Sequence, residues 1–384
     1  MKKLIFLYLS LFLVLIIGGC QTGQKKVVVV AENELDISRA KETVVVKVAD
    51  LGDAFQAVEQ GQVSVKEEGN DRDLVIQLVD LNEDGMYEDL VFQADFAAHE
   101  TKKFVIAKSA ETVEADVKSK VYARFVPERK DDFAWENNRI AFRMYGPALQ
   151  ETGEISSGVD VWVKSVPDLV IDKWYEMEDY HVDHGEGLDY YKVGPSRGCG
   201  GVAIWEDGEM LPSKNFTDWT ILANGPIRTV FELTYAPWQF DGKEVSEVKR
   251  ITLDANTNMN KFESTFSSSE KVLTYAIGIV QREGDGFFKS DESAGWMCYW
   301  EPPHEEYGSV GCAVVADPAE VETITEAQGH FVTVASVRTG QPAIYYAGAS
   351  WSKGQNFANA EQWRDYVRTF SRRVASPLVV NVQH

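Results

Sequence analysis

The chain has 384 residues, of which 44% are hydrophobic, so it can bury a globular core and is not a disordered protein. Its 60 acidic and 38 basic residues give a formal net charge of -22, which excludes the broad basic surface that nucleic-acid binding requires. Any acidic ligand must therefore be met by a local cluster of basic side chains.

The first 19 residues have the composition of a secretory signal peptide. A basic start, "MKK", precedes the apolar run "LIFLYLSLFLVLII", and two glycines come directly before Cys20. This arrangement is typical of a bacterial lipoprotein, which is cut before the cysteine and lipidated on it; the alternative is a plain signal peptide with an incidental cysteine. We expect an exported protein with a lipid anchor on Cys20 and a tether over residues 20–30. Its location would be the periplasm or the outer-membrane surface.

The next part of the chain is rich in short strand-like runs. Between residues 26 and 118 these runs are β-branched or alternating and are separated by Gly, Asp and Asn. They are "KVVVVA", "ETVVVKVAD", "RDLVIQLVDL", "EDLVFQADF" and "KKFVIAK". The pattern predicts a small immunoglobulin-like β-sandwich over residues 31–118.

Within this part, "DLNEDGMYEDL" resembles the first half of a calcium loop. Three oxygen-bearing side chains recur every second residue before a glycine: Asp80, Asn82 and Asp84. Val91 stands where a calcium loop has its twelfth-position glutamate, so Glu88 or Asp89 would have to close a shortened loop. The alternative is an Asx-rich hairpin turn without metal. We expect calcium as the candidate ligand here.

Strand patterns continue from residue 121 to the end of the chain. They are long, aromatic and often alternating, as in "NNRIAFRMYG", "IRTVFELTYAPW" and "AIYYAGASW". Only "NAEQWRDYVRTFSRRV", near the end, has the period of a helix. So many strands without intervening helices predict a large antiparallel sandwich over residues 119–384, and an all-β chain overall.

The segment "MEDYHVDHGEGLDYYKVGPSRGCGG" concentrates groups that transfer protons or bind anions. Histidines titrate near neutral pH, tyrosines offer phenols, and a lysine and an arginine supply local positive charge. These residues are His181, His184, Tyr190, Tyr191, Lys192 and Arg197. Six glycines allow the segment to fold tightly around a ligand. The composition predicts an active-site loop over residues 177–201; the alternative is a long loop that these side chains only stabilise.

Four motifs together resemble domain-of-unknown-function family 4861. They are "NNRIAFRMYGPALQETGEISSGVDVWVK", "YHVDHGEGLDYYKVGPSRGCGG", "KNFTDWTILANGPIRTVFELTY" and "KRITLDANTNMNKFEST", and the resemblance runs from about Val75 to the end. It implies an exported protein of a polysaccharide-utilisation cluster for uronic-acid-containing glycans such as pectins and ulvan. It also implies that the large domain is a galactose-mutarotase-like supersandwich and that the family removes water from a terminal uronic acid by elimination.

β-Elimination at a uronic acid needs a base, an acid and a cation beside the carboxylate. One well-placed electrostatic donor is worth roughly 3–4 kcal/mol, and general acid–base groups add about 10²–10⁴-fold. We expect His181 or His184 to act as the base and Tyr191 as the acid. Arg197 would hold the carboxylate, because the planar guanidinium can bind both oxygens at once.

Further residues are candidates for substrate binding. They are Arg143, Glu154, Tyr190, Lys192 and His304. A divalent metal at His181 and His184 is an alternative to direct acid–base chemistry, since imidazoles and carboxylates are suitable ligands. No cofactor is required by the sequence pattern itself.

The leading hypothesis is a lyase or dehydratase that acts on acidic oligosaccharides. A glycoside hydrolase is the second, which would need two carboxylates about 5–9 Å apart across the scissile bond. The third is a non-catalytic glycan-binding lipoprotein, in which aromatic side chains hold the sugar.

Overall fold

The computed structural model describes residues 26–52, 61–109 and 117–383. The predicted signal peptide and Cys20 lie outside these residues. No helix in the described part of the chain is long and apolar enough to span a membrane. The first strand already begins at Lys26, so residues 26–30, which were predicted as tether, belong to a sheet.

The chain folds mainly into antiparallel strands, which confirms the all-β prediction. The N-terminal strands are β1 (Lys26–Glu32), β2 (Arg39–Lys47), β3 (Val63–Glu67), β4 (Ile76–Val79), β5 (Asp89–Phe96) and β6 (Thr101–Lys108). A 3-10 turn, Val48–Leu51, follows β2. Val27, Val29 and Ala31 alternate inward on β1 and share one core with residues of both N-terminal sheets.

A five-stranded sheet begins the large part of the structure. Its order is β11-β10-β9-β8-β7. The elements of this region are β7 (Val121–Val126), β8 (Asp132–Asn137), β9 (Ala141–Met144), α1 (Pro147–Glu151), β10 (Asp160–Lys164), α2 (Ile171–Tyr175) and β11 (Gly187–Leu188), with a 3-10 turn at Pro127–Arg129. The two one-turn helices, which the sequence pattern did not predict, lie in the connections that lead to the segment of residues 177–201.

The remaining strands form an eight-stranded and a second five-stranded sheet. They are β12 (Cys199–Glu206), β13 (Glu209–Leu211), β14 (Asp218–Asn224), β15 (Arg228–Phe240), β16 (Lys243–Asp254), β17 (Met259–Ser268), β18 (Val272–Val280), β19 (Phe287–Asp291), β20 (Trp296–Trp300), β21 (Val310–Ala316), β22 (Val321–Ala327), β23 (His330–Arg338) and β24 (Pro342–Trp351). A 3-10 turn, Glu292–Ala294, lies between β19 and β20. The eight-stranded order is β14-β15-β16-β17-β24-β21-β20-β19, and the five-stranded order is β13-β12-β18-β23-β22.

One hydrophobic core joins the eight-stranded sheet to both five-stranded sheets. Trp135 of the first five-stranded sheet packs against Phe231 of the eight-stranded sheet, with ring centroids 5.1 Å apart. Inward and outward residues alternate along the long strands, as on β16, where every second residue from Val245 to Leu253 is buried. This layering of sheets is the large antiparallel sandwich that the strand patterns predicted.

The C-terminal helix and the last strand connect the two parts of the molecule. Helix α3 (Ala360–Ala375) confirms the one helix predicted from the sequence, and the side chain of Asn359 caps its start by accepting the N–H of Gln362 at 3.0 Å. Arg373 in its last turn contacts Glu42 of the N-terminal sandwich. Strand β25 (Val379–Gln383) then pairs with β1, although the predicted boundary assigned it to the large domain.

A buried ion pair fixes the connection that leads to the segment of residues 177–201. Lys164 and Glu136 are both fully buried, with Nζ 2.5 Å from Oε2. The other carboxylate oxygen of Glu136 accepts the N–H groups of Val170 and Ile171 at 2.7 and 2.8 Å, at the start of α2. The pair therefore joins β8 and β10 to the start of this helix.

We expect Lys164→Ala to lower the free energy of unfolding by about 3–5 kcal/mol, because it leaves the Glu136 carboxylate buried without its cation. The matched control is Lys173→Ala, which breaks the exposed pair with Glu186 and should cost less than about 1 kcal/mol. Urea unfolding followed by tryptophan fluorescence measures both. Equal effects of the two substitutions would contradict a structural role for the buried pair.

Candidate functional site

A cleft of about 870 Å³ opens on the large sandwich. Residues from the connection between α2 and β12 line one side, and residues from the loop between β20 and β21 line the other. The first group is Asp179, His181, Val182, Asp189, Tyr190, Tyr191, Lys192 and Gly194, and the second is Glu301, Pro302, Pro303, His304, Tyr307 and Gly308. Arg143 and Tyr145 at the end of β9 and Arg282 and Glu283 after β18 complete the lining. Part of the segment predicted as an active-site loop therefore borders a cleft.

Local turn chemistry gives this segment its shape. Asp183 accepts the N–H groups of Gly185 and Gly187 on one carboxylate oxygen, at 2.8 and 3.1 Å. Gly187 has a φ of +126°, and a Cβ there would lie 2.0 Å from the carbonyl oxygen of Val163. Only glycine fits at this position, where the loop pairs with β10 through β11.

His181 presents a free nitrogen to the cleft. Its side chain is 59% exposed, and Nδ1 lies 2.9 Å from the carbonyl oxygen of Asp189. Because a carbonyl can only accept, Nδ1 of the neutral ring carries the proton in this contact. The lone pair is then on Nε2, and His181 is equipped to act as a base.

His304, on the opposite side of the cleft, has the other tautomer. Its Nδ1 accepts the N–H groups of Glu306 and Tyr307, each at 3.2 Å. A ring nitrogen that accepts main-chain donors carries no proton, so the neutral ring holds its proton on Nε2. His304 is therefore equipped to donate, and the two cleft histidines differ in role through their main-chain contacts.

His184 lies outside this cleft. Its Nε2 is 3.0 Å from the carbonyl oxygen of Asp179, and it lines a neighbouring surface pocket with Met177 and Val182. Within the described residues, neither His181 nor His184 belongs to a group of three or more acidic, histidine or cysteine side chains that could hold a metal ion. The structure thus gives no support to the predicted divalent metal at these histidines.

Arg197 faces the interior, so the prediction that it grips a substrate carboxylate is wrong. Only 3% of the residue is exposed, and its guanidinium donates to Ser157 Oγ at 2.9 Å and to the Val202 carbonyl at 3.3 Å. Its main-chain N–H donates to Nε2 of His330 at 3.0 Å. Burial lowers the pKa of Arg197 to about 10. The start of β12 at Cys199 turns this end of the segment into the sandwich.

Tyr191 is also unsuited to the acid role predicted for it. Its ring lines the cleft but the residue is only 2% exposed, and the phenol oxygen accepts from the thiol of Cys312 at 3.4 Å, in the core. Burial raises the pKa of Tyr191 well above its ordinary value. The hydroxyl cannot reach a leaving group in the cleft from this position.

Arg143 borders the cleft at the centre of a buried acidic cluster. It lies 2.6 Å from Asp160, 3.0 Å from Asp189 and 3.6 Å from Asp132, and it donates to the Tyr180 hydroxyl at 3.0 Å. Desolvation raises the pKa of Asp189 to about 8 and that of Asp132 to about 7. Because these three acidic side chains enclose it, the guanidinium of Arg143 is occupied by protein groups and is not free to bind a substrate carboxylate.

The sequence analysis missed a second ion pair in the cleft. Arg282 donates through Nε to Glu301 at 2.9 Å, and its guanidinium lies over the ring of Tyr191 at 4.8 Å. Desolvation raises the pKa of Glu301 to about 7, and Arg282 opposes that rise. Glu301 is the first residue of the Pro-rich loop that carries His304. Its position at a strand end, directly before two prolines, is the sequence feature from which a role in the cleft could have been predicted.

The other predicted binding residues divide between the cleft and the surface. Lys192 and Tyr190 line the cleft, Lys192 in a left-handed conformation with a φ of +57°. The Tyr190 hydroxyl donates to the carbonyl of Gly308 at 3.2 Å, which joins the two sides. Glu154 is exposed and is not among the residues that line the cleft, so the structure does not support its predicted role.

The calcium loop predicted in the N-terminal sandwich brings three carboxylates together. Oxygens of Asp80, Asp84 and Glu88 all lie within 4.8 Å of one another. Ligands of one calcium ion at 2.3–2.6 Å can be up to about 5 Å apart, so the group fits this ion. Asn82, the other predicted ligand, accepts the N–H of Asp84 at 2.9 Å through its side-chain oxygen, and Asp89 instead pairs with Lys47.

Comparison with known proteins confirms the resemblance seen in the motifs. A family model described as Domain of unknown function (DUF4861) matches residues 31–380. The chain is 35% identical over 408 residues to "Uncharacterized protein P7" of Formosa agariphila, with all of both chains covered.

Two solved structures are similar at 10% identity. They are an alpha-mannosidase from Enterococcus faecalis V583, with a TM-score of 0.49, and a glycosyl hydrolase family 38 protein from Enterococcus faecalis, with a TM-score of 0.48. Each match covers 94% of this chain but only 46% and 47% of the respective structure, so the chain spans about half their length. Similarity at this level carries no information about activity.

Calcium should raise the melting temperature of the protein and excess chelator should lower it, because the ion neutralises Asp80, Asp84 and Glu88. In Asp84→Asn we expect a much smaller response to calcium, while Asp71→Asn, an exposed position in the same sandwich, should respond like the unmodified protein. Calorimetry with and without chelator measures the effect. Identical melting in calcium and chelator would exclude the site.

The raised pKa of Asp189 makes part of the stability depend on pH. Asp189 holds its proton up to about pH 8 in the folded protein, whereas an unfolded aspartate titrates near 3.9. The stability contributed by this difference is fully present below about pH 4 and is lost as the pH rises through about 8. The side chain of Asp189→Asn stays neutral at every pH. As the pH rises from about 5 to 8, we therefore expect the melting temperature of this variant to increase relative to that of the unmodified protein.

Thermal melts at several pH values test this expectation. Asp207→Asn, at an exposed turn, serves as the control and should melt in parallel with the unmodified protein at every pH. Parallel curves for Asp189→Asn as well would show that Asp189 is ionised throughout.

Proposed function

The chain belongs to the DUF4861 family, and we propose that it is a carbohydrate-active enzyme that acts on uronic-acid-ended oligosaccharides by β-elimination. The observation that carries this proposal is the opposite tautomer of His181 and His304 on the two sides of one cleft. Elimination requires a base that takes a proton and a donor that stabilises the negative charge on the departing oxygen, and two neutral imidazoles of opposite tautomer supply both.

In the proposed reaction, Nε2 of His181 removes the proton from C5 of the uronic acid. The electrons of the C5–H bond form the C4–C5 double bond, and the C4–O bond breaks. The departing oxygen accepts a hydrogen bond from Nε2–H of His304 and takes its proton from the His181 imidazolium that the first step forms, so that charge and atoms balance. The same steps release either water or a sugar, depending on what C4 carries.

The carboxylate beside C5 needs positive charge while the proton leaves. Lys192 and Arg282 supply it, and both line the cleft of a protein whose formal charge is -22. Arg282 is partly neutralised by Glu301, which leaves Lys192 as the main counter-charge. A donor in this role contributes roughly 3–4 kcal/mol when charge develops on the carboxylate.

A glycoside hydrolase is the second candidate, because four of the described carboxyl groups line the same cleft: Asp179, Asp189, Glu283 and Glu301. A hydrolase needs at least one of them ionised to act as base or nucleophile. Desolvation raises the pKa values of Asp189 and Glu301 to about 8 and about 7, and each of these two is paired with an arginine. These features favour structural and electrostatic roles for Asp189 and Glu301, so a hydrolase would have to use Asp179 or Glu283 for direct attack.

Glucuronate- and galacturonate-ended oligosaccharides should yield a product that absorbs in the ultraviolet, because elimination conjugates the new double bond with the carboxylate. His181→Ala and His304→Ala should each reduce turnover by at least ~10²-fold. His184→Ala is the matched control, since this histidine lies on the same loop but outside the cleft, and it should retain nearly full activity.

Each outcome separates the candidates. New reducing ends without ultraviolet absorbance would identify a hydrolase instead. Binding of these oligosaccharides without any product, in a folded protein, would support a glycan-binding role. An active His181→Ala variant would remove His181 as the base.

A further inference from the structure

The cleft contains an aromatic surface that the proposed chemistry does not use in full. It consists of Tyr190, His304 and Tyr307, which we call the aromatic patch. His304 stacks on Tyr307 with ring centroids 4.8 Å apart and planes at 10°. Tyr190 contacts both, at 5.8 Å from His304 and 5.3 Å from Tyr307.

The aromatic patch is held in place by the main chain around it. His304 and Gly308 form two reciprocal hydrogen bonds at 2.8 and 2.9 Å, which close the loop between them. The carbonyl of Tyr307 accepts the indole N–H of Trp351 at 2.7 Å. Tyr307 nevertheless remains partly exposed within the cleft. A fixed, partly exposed ring surface is suited to bind a flat apolar ligand face at low entropic cost.

Acidic side chains lie close to the aromatic patch. Glu305 and Glu306 are exposed on the loop between His304 and Tyr307, and Asp179 lines the cleft together with the aromatic patch. Desolvation and the carboxylates of Glu306 and Asp179 raise the pKa of Tyr307.

Three cations of the described residues line the cleft: Arg143, Lys192 and Arg282. Arg143 is enclosed by three aspartates, whereas Arg282 pairs with Glu301 and contacts the Lys192 carbonyl.

One further cation lies close to the loop of the aromatic patch. Lys353 donates to the carbonyl of Glu306, but it is not among the residues that line the cleft. A second acidic sugar at the aromatic patch would therefore meet carboxylates rather than cations.

We propose that Tyr190 and Tyr307, the two tyrosines of the aromatic patch, bind the sugar next to the terminal uronic acid, and that this sugar is uncharged and presents an apolar face. This inference rests on the proposed function, since it places the uronic acid beside Lys192. Pyranose rings carry C–H groups on one face, which pack on aromatic rings, while their hydroxyls remain in solvent. The substrate class is then a mixed oligosaccharide with a uronic acid followed by a neutral sugar, and not a run of uronic acids.

The test compares three defined substrates: a uronic acid linked to neutral xylose, the same uronic acid linked to a second uronic acid, and its methyl glycoside. Formation of the unsaturated product gives kcat and KM separately. Tyr307→Ala should raise KM for the mixed disaccharide by about 10-fold, as expected for the loss of an aromatic contact, and leave KM for the methyl glycoside unchanged. Tyr307→Phe keeps the ring and should behave like the unmodified protein.

Trp219→Ala is the matched control. Trp219 is an exposed, stacked aromatic residue that packs on Phe125 at 5.1 Å, and it does not line the cleft. It should change neither constant. An unchanged KM for the mixed disaccharide in Tyr307→Ala, or a lower KM for the doubly acidic disaccharide in the unmodified protein, would overturn the proposal.

A binding measurement separates this proposal from the proposed function. Saturation-transfer NMR on the unmodified protein should place the xylose C–H protons against aromatic side chains, and the signal should disappear in Tyr307→Ala. If no substrate is eliminated but this signal is present, the reaction is wrong and the aromatic patch stands. If elimination occurs without the xylose signal, the aromatic patch is wrong and the reaction stands.

Discussion

The buried guanidinium of Arg143 is the contact on which the site depends. It stands opposite Asp160 in the register of β9 and β10 and also contacts Asp132, so it joins three neighbouring strands. Its third carboxylate, Asp189, belongs to the loop and not to these strands. Ordering a loop of this length costs conformational entropy, and the contact between Asp189 and Arg143 helps to offset that cost. The carbonyl of the same Asp189 accepts a hydrogen bond from Nδ1 of His181, so the orientation of the imidazole depends on the buried contact between Arg143 and Asp189.

This arrangement separates two uses of charge in an acidic protein. Acidic side chains occupy the guanidinium groups of Arg143 and Arg282, and desolvation raises the pKa values of two of them, Asp189 and Glu301. Lys192 is placed instead at a left-handed turn of the exposed loop, where water and ligand can reach it. The cleft can therefore carry local positive charge although the chain as a whole has a formal net charge of -22.

The sequence allowed the strands, the C-terminal helix and the cleft loop to be predicted, because alternation, helical period and residue composition are local properties. It did not allow side-chain direction to be predicted within the loop. Arg197 and Tyr191 lie in the predicted segment, but the turn into β12 and the packing against Cys312 direct both inward. Arg282 and Glu301 were missed because distant strands bring them to the loop, and no local pattern encodes that contact.

The pairing of β25 with β1 brings together two strands that are far apart in sequence and are therefore synthesised at different times. During synthesis, β1 emerges early, but the strand that covers one of its edges emerges only after the whole of the large sandwich. Until then, that edge presents free N–H and C=O groups, which can pair with another extended chain. The domain that is begun first is therefore completed late, by a strand that follows the large sandwich in sequence.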